Sequence, residues 1–86
     1  MPIISVFYGI VIRMYHADHS PPHFHVQYGS SRAIIEIKNG ELLRGTIPKN
    51  ALRLTQGWRK MHVKELLNLW QQAQQLESLK RIPPLE

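Results

Sequence analysis

Polar and apolar positions change rhythm twice along this chain, and each change marks an element. Residues 3–15, IISVFYGIVIRMY, are almost continuously apolar, β-branched or aromatic, which predicts one long first strand. Pro21-Pro22 does not fit a central strand, so residues 16–22 are expected as a loop. Alternation follows over 23–28 and 32–38. Phe24, Val26 and Tyr28 fall on one face with Ala33, Ile35 and Ile37. His23, His25 and Gln27 fall on the other with Arg32, Ile34, Glu36 and Lys38. Gly29-Ser30 suits a two-residue hairpin turn. That turn sets a register with Tyr28 opposite Ser31, Gln27 opposite Arg32, His25 opposite Ile34 and His23 opposite Glu36. Asn39-Gly40 signals a second turn, followed by a short fourth strand at 41–45.

The period then lengthens. Ala51, Thr55, Trp58, His62, Leu66, Leu69, Ala73 and Leu76 recur in helical phase, predicting one long helix over 48–77 that begins at Pro48, with Thr46 placed to cap it. Gly57 costs about 1 kcal/mol against Ala in a helix interior and marks where a kink is expected. From Ser78 onward the chain should be extended. These elements predict an α+β fold: an antiparallel β-meander of about four strands with one long C-terminal helix packed on one face, residues 1–86 forming a single small domain. A straight helix of about 30 residues is about 45 Å long. Four strands at about 4.8 Å spacing are far narrower, so part of the helix should overhang. Leu54, Trp58, Leu67 and Trp70 widen its apolar band, a surface that a second copy or a small partner protein could cover.

Composition narrows the chemistry. The 86 residues contain no cysteine, which excludes a thiol nucleophile, a Cys-ligated zinc site and a disulfide framework. The start is apolar but has no basic n-region and is interrupted by Arg13, so neither a secretory signal nor a membrane span is expected and a cytoplasmic location is predicted. The net charge of +5 and a pI near 10.0 favour an acidic partner. Residues 48–77 carry five basic and two acidic residues, against four and three in the first 47. Lys49, Arg53, Lys60 and Lys64 form a stripe opposite Trp58 and Leu69, flanked by Arg59, and such a stripe can track phosphates; the alternative is an ordinary solvated helix face.

Four of the five histidines lie in HADHSPPHFHVQYG, residues 16–29. The hairpin register puts His23, His25 and Glu36 on one face, with His16, Asp18 and His19 in the loop before them. Two imidazoles and a carboxylate make a candidate site for a divalent metal such as zinc or nickel. The same face permits metal-free ribonuclease chemistry, with His19, His23 and His25 as acid and base and Arg32 as phosphate clamp. The third reading is structural, with solvated histidines on the open side of an antiparallel sheet. His62, in the apolar phase of the helix, is expected as a core or sheet-contacting histidine.

FYGIVIRMY, DHSPPHFHVQYG, AIIEI, NGELLRGTIP, ALRLTQGW and ELLNLW together resemble the small bacterial family known as domain of unknown function 4160. The match covers most of the chain, and PPHFHV is its most specific part. A typical member of that family has a glutamate where this chain has Gln27. Its members are often encoded beside another small uncharacterised protein, in an arrangement like that of toxin–antitoxin cassettes. The resemblance therefore implies RNA, or a small protein encoded alongside, as partner. The leading expectation is a module that binds or cleaves RNA; the alternatives are a metal-binding module and a non-catalytic interaction protein.

Overall fold

The computed structural model describes residues 2–86. Five antiparallel strands form one sheet in simple meander order: β1 (Ile3–Phe7), β2 (Ile10–Arg13), β3 (His23–Tyr28), β4 (Ser31–Glu36) and β5 (Leu42–Thr46). Two helices, α1 (Lys49–Met61) and α2 (Val63–Gln74), pack on one face of it. The α+β class and the meander are as the pattern predicts. Two details differ.

The apolar run 3–15 is a hairpin rather than one strand. Tyr8 and Gly9 both adopt left-handed backbone, with φ of 50° and 78°, the conformation of the tight turn that matches strand twist. Phe7 then pairs with Ile10, and one extra residue between Ile3 and Ser5 bulges the strand. The β3–β4 register is the predicted one throughout: His23 with Glu36, His25 with Ile34, Gln27 with Arg32 and Tyr28 with Ser31. Tyr28 departs from its inward-facing neighbours at the end of the hairpin, where it is exposed.

The helix divides at His62, not at Gly57. His62 has φ −130° and ψ 23°, and its amide donates to the Arg59 carbonyl instead of continuing the helix. The reason is size. A continuous helix would run about 45 Å, and the longest dimension of the fold is 33 Å. Breaking the helix keeps both tryptophans over the sheet: Trp58 is fully buried and Trp70 nearly so, while Leu54 and Leu67 pack against the core. The expected overhang is therefore absent. Thr46 belongs to β5 and caps nothing; α1 begins directly after Pro48.

The core lies between the helices and the inner face of the sheet, where Ile10, Ile12, Phe24, Val26, Ile35 and Ile37 meet Trp58, Leu66 and Ala73. Arg59 is buried here, not part of the solvent stripe. Its Nη1 donates to the carbonyls of Ile37 and Lys38 at 3.0 and 3.2 Å. Its Nε donates to Gln56 Oε1 at 2.8 Å, and Gln56 donates on to the Gly40 carbonyl. The pair holds the β4–β5 turn against α1. Past α2 the chain is extended, as expected, and returns to β1. The Ile82 amide donates to the Ile4 carbonyl at 2.7 Å, and Trp58 Nε1 donates to the Pro83 carbonyl at 2.9 Å. Among the described residues no helix is long and apolar enough to cross a membrane.

Candidate functional site

The outer face of the sheet carries no helix, and residues 16–22 fold over one end of it. Two contacts tie this loop to α2: the Ala17 amide donates to the Ala73 carbonyl at 3.1 Å, and Gln74 Nε2 donates to the Asp18 carbonyl at 3.2 Å. Asp18 is thereby set over the strand. Its Oδ1 accepts the His19 amide at 2.8 Å. Its Oδ2 meets both imidazoles, His23 Nε2 at 2.9 Å and His25 Nε2 at 3.2 Å. Strand pleating sends these two rings to one face, and their centroids lie 5.3 Å apart.

The two histidines are not equivalent. The His23 side chain is only 9% exposed, against 27% for His25. The His23 ring packs 5.0 Å from Trp70, and its Nδ1 donates to the Pro21 carbonyl at 2.7 Å. Both ring nitrogens are thus engaged, Nδ1 by the Pro21 carbonyl and Nε2 by Asp18. His25 meets Asp18 through Nε2, and its Nδ1 has no hydrogen-bond partner among the described residues. The Tyr15 ring meets it edge-on at 4.4 Å. The Asp18 carboxyl is held below its usual range. Burial pushes it up, and this largest single influence is outweighed by the combined hydrogen bonds of His25, the His19 amide and His23 and by the His23 charge.

Glu36 faces His23 in the ladder, as the register requires, but it is not the carboxylate that joins the rings. The ligand-capable atoms lying within 4.8 Å of one another belong to Asp18, His23 and His25. In-register pairing brings Cβ atoms to about 5 Å; it does not direct the carboxylate beyond, and the loop delivers Asp18 instead. The His19 side chain is exposed, with only its backbone amide engaged, and His16 Nε2 bonds the Glu77 carbonyl at the chain's far end. His62 pairs with Glu65 at 2.6 Å, away from this site.

Arg32 lies beside the histidines. It lines an open pocket of about 300 Å³ together with Arg13, Tyr15, His25, Gln27 and Arg44. Arg13 and Arg44 carried no sequence signal of their own. The ladder reveals them: Arg13 pairs with His25, His25 with Ile34, and Ile34 with Arg44, making one row across four strands. Lys49, Arg53, Lys60 and Lys64 are all exposed on the helix layer, whose buried residues face the inner side of the sheet. The cationic stripe therefore lies on the helix layer and the arginine-lined pocket on the outer face of the sheet, with the loop and His23 reaching from that face to α2.

Fold and site together define a small two-layer α+β protein with a histidine–aspartate cluster and an arginine-lined pocket on its open sheet face. The family model described as "Domain of unknown function (DUF4160)" matches residues 9–71 of the 86-residue chain, and the protein belongs to that family. Neither curated proteins nor solved structures give a significant match.

Proposed function

We propose that the protein acts on RNA through the open face of its sheet, as one member of a toxin–antitoxin-like pair. The observation that supports RNA as the target is the meeting of His25, oriented by Asp18, with a pocket carrying three arginines; the pairing rests on the family resemblance alone. The arrangement has the parts that phosphodiester cleavage needs. Asp18 accepts the Nε2 proton of His25 and so fixes the tautomer that leaves Nδ1 as base. Nδ1 takes the proton of a ribose 2′-hydroxyl as that oxygen attacks the neighbouring phosphorus. The arginines neutralise the phosphorane. The departing 5′-oxygen takes a proton from solvent, and His25 later returns its own to solvent. His23 has both nitrogens occupied, so its role is to hold Asp18 rather than to transfer protons. Purified protein should bind and cut single-stranded RNA at low salt, and His25→Ala should bind without cutting. Failure of the wild-type protein both to cut and to bind would end this reading.

A divalent-metal site is the second reading, favoured by one specific feature. The His23 Nδ1 contact to a backbone carbonyl is the outer contact that metal-bound imidazoles commonly make, and it aims Nε2 at Asp18 and His25. Two imidazoles and one carboxylate suit zinc or nickel, with Asp18 taking the place expected for Glu36. Elemental analysis of untagged protein after zinc, nickel and iron supplementation should then find one equivalent, lost in Asp18→Ala. Sub-stoichiometric metal in the wild type argues against it.

A further inference from the structure

We propose that the outer-face pocket receives one phosphate group carried on a body the size of a single nucleotide, with Arg13, Arg32 and Arg44 holding the anion beside His25. This deepens the reading above and rests on it only in taking His25 as the group that the ligand meets.

Three observations carry the assignment. The first is charge without a counter-charge. The ion pairs among the described residues are His23 and His25 with Asp18, and His62 with Glu65; none involves an arginine. The pocket lining contains no carboxylate. Three guanidinium groups from three different strands thus share one concave surface with their charge unneutralised, which repels a cation and attracts a multiply charged anion. A carboxylate has one charge and two oxygens, which a single arginine fork satisfies. A phosphate group has the charge and the oxygens to engage several forks.

The second is preorganisation. Arg13 Nη1 donates to Gln27 Oε1 at 2.7 Å, so a neutral amide fixes its direction and leaves its charge intact. Gln27 is itself held by the Gly29 carbonyl at 3.2 Å. On the far wall Gly45 has φ +77°, and a Cβ there would collide with the Arg32 carbonyl. Only glycine lets β5 approach closely enough to bring Arg44 into the same pocket as Arg32.

The third is size and lining. About 300 Å³ is at the small end of ligand pockets. Ile34 forms part of the surface, and Tyr15 stands edge-on to His25, so an apolar or flat body has somewhere to lie next to the cationic groups.

The test uses the full chain at low salt with inorganic phosphate, adenosine monophosphate, and a short single-stranded RNA with and without a terminal phosphate. Calorimetry measures affinity, and the arginine side-chain and Gly45 amide NMR signals locate it. Saturable binding of phosphate, tighter binding of adenosine monophosphate, and shifts confined to Arg13, Arg32, Arg44, His25 and Gly45 are expected. Arg32→Ala should weaken adenosine monophosphate by about tenfold or more. Gln27→Glu, which sets a carboxylate against Arg13 without changing size, should weaken it as well while thermal unfolding stays near wild type. A terminally phosphorylated RNA that matches adenosine monophosphate, with its unphosphorylated twin weaker, identifies a chain end as the source. Exclusion of both RNAs identifies a free nucleotide. Adenosine monophosphate binding without RNA cleavage upholds this inference and rejects the ribonuclease reading. RNA cleavage with no saturable phosphate or nucleotide binding, or with affinity unmoved by Arg32→Ala and Gln27→Glu, overturns the inference and leaves that reading standing.

Discussion

Replacing Asp18 by Asn tests whether the carboxylate organises the site. The change keeps the shape and an oxygen for the His19 amide, but it sets an NH₂ group against the two imidazole N–H groups that Oδ2 now accepts at 2.9 and 3.2 Å. A hydrogen bond to a charged group contributes about 1.5–3 kcal/mol when desolvated. The Asp18 side chain is 23% exposed, so solvent screening reduces the pair to about 2–3 kcal/mol in total. For a domain of this size each kcal/mol moves Tm by about 4–8 °C, so a fall of roughly 10–20 °C is expected. Small domains have about 5 kcal/mol to lose, so half the margin is at stake. Urea denaturation followed by the fluorescence of the buried Trp58 and Trp70 measures it. The pH dependence has a definite sign. Because the folded Asp18 carboxyl titrates below its ordinary value, its contribution is fully present above the unfolded value, near 3.9, and is lost as pH falls through the lowered folded value. The gap between wild type and Asp18→Asn should be open at pH 6 and close in strong acid. Equal midpoints at pH 6, or a gap unchanged at pH 2, would refute the reasoning.

Leu76→Gly should stabilise the protein by about 1 kcal/mol, because Leu76 holds φ 60° at the helix end while its side chain is 68% exposed; a lower Tm contradicts the assigned helix stop. Arg59→Ala removes the bonds to the Ile37 and Lys38 carbonyls and to Gln56 and should cost about 2–3 kcal/mol in chemical denaturation, with Arg59→Lys recovering only part. If it costs nothing, the clamp is unimportant. If the helix stripe also meets RNA, the combined change of Lys49, Lys60 and Lys64 to Ala should flatten the plot of log affinity against log salt by about 0.7 per lost contact on single strands. An unaltered slope removes the stripe from the RNA surface, and nucleotide binding in the pocket should be unaffected either way.

Period-two alternation and a glycine turn were enough to read the β3–β4 hairpin residue by residue, because a single slip would send Phe24 and Val26 to solvent. The Tyr8-Gly9 turn was hidden because it sits inside an apolar run where alternation has no contrast, and tyrosine is not a residue that favours φ of 50°. The helix break had one faint local signal, Glu65 in the first turn of α2 three residues past His62, with which it pairs. Gly57 stays helical, and the division falls at His62 instead. At the site, both histidines and Arg32 could be read from strand parity. Asp18 depended on how the loop is tied to Ala73 and Gln74, more than fifty residues away in sequence. Arg13 and Arg44 became neighbours of His25 only through the pairing of β2 and β5, and the β5 pairing contains an irregularity at Ile34/Ile35 that alternation does not anticipate.

The final stretch of chain gives the sheet a single growing end. Ile82 is bonded along β1, and Pro83 and Pro84, which follow it, have no N–H to offer another strand. β5 at the opposite margin is exposed along its whole length. If two molecules were to join laterally through β5, the pair would be closed, since each would present its β1 margin, covered by the tail, outward. Clipping the chain before Leu79 would bare that flank and at the same time remove buried Ile82 and the Pro83 acceptor of the Trp58 indole, so the tail guards the margin and completes the core together.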